Sequence, residues 1–200
     1  MSKKYEIDSL PKYIHASFSD DVKLVNVRQH KTFKPLGLYY AKGIEWLQFM
    51  KYYLDYGNIN ITKKYVEIKK NQYYKRIDSK KIKLPMMYLY KVIVRPNSRI
   101  MLSDKKDPAK ILVLNSLKQV KSFTKKYMYK TEPFINWKRV SKDYGGIEFK
   151  NYKKIQDQII KISRKVKTKI GFNNLTWASA FDVNGGCIWN VENIRIEKID

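Results

Sequence analysis

The sequence has one cysteine, Cys187, and two histidines, His15 and His30. One cysteine excludes a disulfide framework within the chain and a cysteine-based zinc site. Two histidines do not make a histidine-rich metal site, so no metal is expected. No apolar run approaches the length of a membrane span. The opening Met1-Ser2-Lys3-Lys4-Tyr5-Glu6 is polar and lacks the apolar stretch of a signal peptide. No membrane partner is therefore expected, and an intracellular location, or the interior of a particle assembled there, is the default. Acid is the other scarcity: 18 Asp and Glu stand against 42 Lys and Arg, a net charge of +24.

A chain this basic attracts nucleic acid or another polyanion. An AT-rich genome would also enrich Lys, Ile, Asn and Tyr, but would not by itself suppress Glu so far. Lys outnumbers Arg, which favours point-charge attraction to phosphate over bidentate reading of bases. The whole chain, residues 1–200, fits one domain with enough length for a core. No internal repeat is visible.

Residues 1–10 read as a polar lead-in. Pro11–Phe18 predicts a first strand with Tyr13, His15 and Ser17 on one face. The small Ala16 and Ser17 leave room beside the imidazole. The plainer alternative is a half-buried histidine satisfied by backbone. Asp20–Phe33 reads as a connector with His30 in its polar part. A helix follows from Ile44 to Leu54, with Trp46 beside its apolar stripe, and stops near Gly57.

Residues 58–83 are the most basic stretch, a basic insertion or hairpin. Lys63, Lys64, Lys69 and Lys70 recur around Tyr65, Tyr73 and Tyr74. Lysines that track phosphate, interleaved with rings that stack on bases, suit single-stranded nucleic acid. The alternative is a solvated hairpin with residues 65–68 as one strand. Met86–Val94, Arg99–Leu102 and Ile111–Leu114 read as strands, with a loop over residues 103–108. Ser116-x-x-Gln119 is a capping box opening a helix to about 129. Pro133 opens a short helix carrying Ile135, Trp137 and Val140. Lys153–Lys169 is an amphipathic helix with a basic face. Residues 176–190 read as two short strands around an Asn184-Gly185-Gly186 turn. The class is α+β.

Two stretches organise the rest. Lys34-Pro35-Leu36-Gly37-Leu38-Tyr39-Tyr40-Ala41 and Asp143-Tyr144-Gly145-Gly146-Ile147-Glu148-Phe149 each read as a turn feeding an apolar strand. The second places one carboxylate, Glu148, among apolar neighbours. A charge there needs a partner or a task, because uncompensated burial is expensive.

His15 in a first strand, Gly37-Leu38-Tyr39-Tyr40-Ala41 in a second, and a strand glutamate at 148 resemble the His-Tyr-Glu ADP-ribosyltransferases of the diphtheria toxin and poly(ADP-ribose) polymerase type. The sequence is also similar to uncharacterised proteins of large DNA viruses. The resemblance spans residues 11–190 and implies split β-sheets flanked by helices. It implies NAD as substrate, with no metal, and a host-cytoplasm or virion location. His15 would bond the NAD ribose and Tyr39 would stack on nicotinamide. Glu148 would stabilise the cationic sugar that develops as nicotinamide leaves. Ser17, Gly37, Tyr40 and Trp46 would complete the cofactor site. Ala16-Ser17 replaces the Gly-Thr or Gly-Ser that often follows the family histidine. Gly146 stands where arginine-modifying members carry Glu or Gln, so a nucleic-acid acceptor, or a protein in a nucleic-acid-rich setting, fits better than arginine. The competing expectation is a non-enzymatic basic nucleic-acid-binding or packaging protein. Neither fixes an oligomeric state.

Overall fold

The structure is a computed structural model, which describes residues 2–54, 56–70, 73–75, 81–83, 86–130, 132, 134–165 and 174–200. The fold is α+β. The chain divides into two compact units. The first comprises Met1–Lys23, Tyr40–Ile93 and Ile196–Asp200; the second comprises Leu24–Tyr39 and Val94–Arg195.

In the first unit the polar lead-in is a strand. β1 (Ser2–Glu6) pairs antiparallel with β5 (Tyr65–Lys69), which also pairs with β4 (Ile59–Ile61). Its polar residues hid it, since only Tyr5 of the five is buried. β2 (Tyr13–Ser17) lies between β3 (Leu38–Lys42) and β8 (Tyr88–Val94), antiparallel to both. Helix α1 (Glu45–Tyr53) covers the unit's core, with Leu47 and Met50 packed among Tyr5, Ile14, Val66 and Leu89. β6 (Tyr73–Lys75) and β7 (Lys81–Lys83) form a hairpin; residues 71–72 and 76–80 of the predicted basic stretch lie outside the described residues.

The second unit holds a mixed sheet. β9 (Arg99–Met101), β10 (Asp107–Leu114) and β11 (Tyr144–Phe149) run parallel, and β12 (Gly185–Ile188) pairs antiparallel with β11. β10 starts earlier than expected, taking in Asp107 and Pro108 from the predicted loop. Parallel neighbours need a crossover, supplied by α2 (Leu117–Tyr127) and α3 (Trp137–Asp143) between β10 and β11. Residues 111–114 of β10 and all of β11 are buried, as strands covered on both faces must be. Leu112, Leu114, Ile147, Phe149 and Cys187 point to the core under α2, α3 and α4 (Tyr152–Lys165). Pro133 and residues 166–169 of the predicted helices lie outside the described residues.

Two glycine expectations change. Gly145 and Gly146 are not a turn but strand residues, because α3 leads straight into β11. Their lack of a side chain admits neighbouring backbone: a Cβ at Gly145 would sit 2.6 Å from the Pro108 carbonyl oxygen. Residues 176–190 are not two strands around a turn. Thr176–Phe181 forms a 3-10 turn that buries Trp177, and Gly185–Gly186 lie inside the single strand β12.

Candidate functional site

In the first unit, Ile14 and Ala16 point to the core and His15 alternates to the other face. There it sits in register with Tyr90, ring centroids 6.2 Å apart. Tyr13 lies on the same face and meets Tyr40 edge-on at 5.4 Å. The Tyr90 hydroxyl donates to the Ser19 and Asp20 carbonyls. His15 and Tyr40 thus share one tyrosine-lined face, with Tyr13 on it as expected and Tyr90 as a member that motif reading missed. Period two along β2 and β8 was the available signal. Ser17 is on this face, and its hydroxyl accepts from Ser19 N. Trp46 is elsewhere: it stacks on Phe49 at 5.3 Å and packs against the core side.

In the second unit, Glu148 is 1 % exposed and stands opposite Val113 and Gly186 in the flanking strands. Ile147 and Phe149 face the helices, so Glu148 faces away from them. Arg99 reaches it from β9, with Nε and Nη2 each 2.8 Å from Oε2. The arginine sits two strands away and 49 residues upstream. The carboxylate therefore has a charged partner built into its own sheet.

Tyr39 belongs to the opposite face. Its ring packs against the helix-side core, 6.2 Å from Phe181. Its hydroxyl donates to the Pro35 carbonyl at 2.6 Å, beside the buried Cys187 thiol. Burial, then the neighbouring Cys187, pushes the phenol far above its usual range. Gly37 makes this approach possible: φ is +149°, and a Cβ there would fall 2.2 Å from the Ile188 carbonyl oxygen. Tyr39 and Glu148 are thus not brought together: the sheet of the second unit stands between them.

Nearby, Asp182 takes φ +64° at the end of the 3-10 turn and lies 3.6 Å from Lys34 Nζ. Burial raises its carboxyl, partly offset by Lys34. Gln29, also missed, is buried in the connector that carries His30. Its amide donates to the Leu36 carbonyl and accepts from Leu36 N, fixing the approach to Gly37.

Of the lysines singled out beside the tyrosines, Lys63, Lys64, Lys69 and Lys70 are exposed at the ends of β5, and Lys69 lies 3.7 Å from Glu67. Tyr73 and Tyr74 fall in β6. A second basic surface lies on the second unit. α2 carries Lys118, Lys121, Lys125 and Lys126 and no acid. Beside it is a cavity of about 500 Å³ lined by Lys121, Lys125, Lys130, Tyr129, Met128 and Ile162 among others. The i, i+4 pair Lys121 and Lys125 puts two ammonium groups on one side of the helix.

Among the described residues no group of three or more His, Cys, Asp or Glu gathers where a metal ion could be held, and no helix is long and apolar enough to cross a membrane. No family model, curated protein or solved structure matches the chain.

Proposed function

We propose that this chain binds nucleic acid through its lysine-rich surface, in the manner of a basic binding or packaging protein. The observation that carries this is α2, with four lysines and no acid, beside a cavity to which Lys121, Lys125 and Lys130 contribute. None of these three is ion-paired among the described residues. Like charges set this close repel one another, and a polyanion relieves that repulsion while releasing its own counterions. The chain as a whole cannot compensate internally, since basic residues exceed acidic ones by 24. The test is fluorescence anisotropy with labelled single- and double-stranded oligonucleotides between about 50 and 200 mM salt. A steep log–log fall in affinity is expected. Absent binding, or binding indifferent to salt, rejects the proposal.

A second reading is an NAD-dependent ADP-ribosyltransferase of split-sheet architecture, acting on nucleic acid or on a protein bound to it. The Arg99–Glu148 pair favours it. Buried ion pairs add little stability over apolar residues of similar volume, so a strand carboxylate held in this way invites a functional explanation. Glu148 would supply the negative charge for the developing sugar cation. Tyr39, committed to Pro35, has no part in this version. Labelled NAD is the assay: nicotinamide release lost in Glu148→Gln is expected, and no release from the wild type ends this reading.

A further inference from the structure

The α2 cavity has features that diffuse charge attraction does not require. Phosphate needs only exposed ammonium groups, yet here three lysines surround a recess whose lining is mainly apolar. Met128, Ile162 and Leu175 form that apolar part, and Tyr129 adds an aromatic ring. The ring is half-buried, with Lys31 Nζ 5.7 Å from its centroid. The backbone that carries it is paired with the segment at 134–135. The Tyr129 backbone N–H donates to the Phe134 carbonyl, and the preceding Met128 bridges to Ile135. A half-buried ring in an apolar recess bordered by three lysines matches a flat heteroaromatic joined to a phosphate.

We propose that this cavity is a nucleotide subsite for single-stranded nucleic acid, resting on the binding function argued above. One base enters the recess and stacks on Tyr129, while Lys121, Lys125 and Lys130 hold the flanking phosphates. A duplex cannot use the recess, because its bases are paired and stacked inside the helix. The site also supplies a preference for unpaired strands that net charge alone does not give. Any base satisfies the stack, since each has a π-face, so the site is indifferent to sequence.

The test uses the full chain and three probes of about twelve nucleotides: labelled oligothymidylate, an abasic strand with the same phosphates, and a duplex. The wild type should bind oligothymidylate about 5- to 150-fold more tightly than the abasic strand, the range of one base stack. Tyr129→Ala should remove that difference and be rescued by Tyr129→Phe. The wild-type comparison needs no variant to fold. Equal affinity for thymidylate and abasic strands overturns the subsite while leaving the binding function intact. Tighter binding to duplex than to single strand also overturns it. Failure of all three probes to bind removes the binding function itself.

Discussion

Glu148 carries a charge into a strand otherwise built of aromatic, aliphatic and glycine residues, and Arg99 compensates it there. Removing the cation alone strands the carboxylate. Arg99→Met should therefore cost about 3 kcal/mol, the low end for a broken buried pair because Arg99 keeps a quarter of its side chain exposed. Arg99→Met with Glu148→Leu should recover most of that loss, both read by urea denaturation. That Glu148 needed a partner was legible in the sequence. The partner's identity was not, because Arg99 arrives through strand pairing rather than local spacing. The same limit hid Asp143. Burial acts to raise its carboxyl, but bonds from Lys106 Nζ and the Tyr127 hydroxyl, each 2.6 Å, outweigh it and hold the carboxyl below its usual range. A depressed folded-state value gives stability that is present above the unfolded carboxylate range, about pH 4, and lost as pH falls through the folded value. Asp143→Asn should thus lower Tm at neutral pH, and the gap to wild type should close on acidification.

Elements with a strong local signal were legible, and those set by close approach were not. The Ser116 capping box marked the start of α2: Ser116 accepts from Gln119 N, and Gln119 reaches back to Asn115 N. The apolar periods of α1 and α4 placed those helices, and the β-branched run of β8 placed that strand. Gly145-Gly146 misled, because the same pair serves a turn or a crowded strand and only the neighbour decides. Here the neighbour is Pro108 on β10. Gly145→Ala should push β10 and β11 apart and destabilise by about 1–3 kcal/mol, the cost of overpacking, measurable as a lower urea midpoint with unchanged slope. The tyrosine strand misled in a related way. Tyr39 and Tyr40 alternate across β3, and the sequence alone does not say which ring faces which side. Gly37, wedged against Ile188, and Gln29, clamped on Leu36, are consistent with Tyr39 taking the helix side.

At the scale of the molecule, the charge was fully legible and its placement only partly so. The basic stretch at 58–83 stands out in sequence because its lysines are crowded together. The cavity beside α2 does not, because Lys121, Lys125, Tyr129 and Lys130 gain meaning only when Ile162 of α4 packs alongside. The central claim is that this face holds phosphates. It is tested most directly by the salt dependence of oligothymidylate binding in a Lys121→Gln, Lys125→Gln, Lys130→Gln variant. Each phosphate contact on a single strand contributes about 0.7 to the log–log slope, so the variant's slope should be shallower than the wild type's by about two. A slope equal to the wild type's, with the variant folded, would show that the phosphates lie elsewhere and would contradict the account.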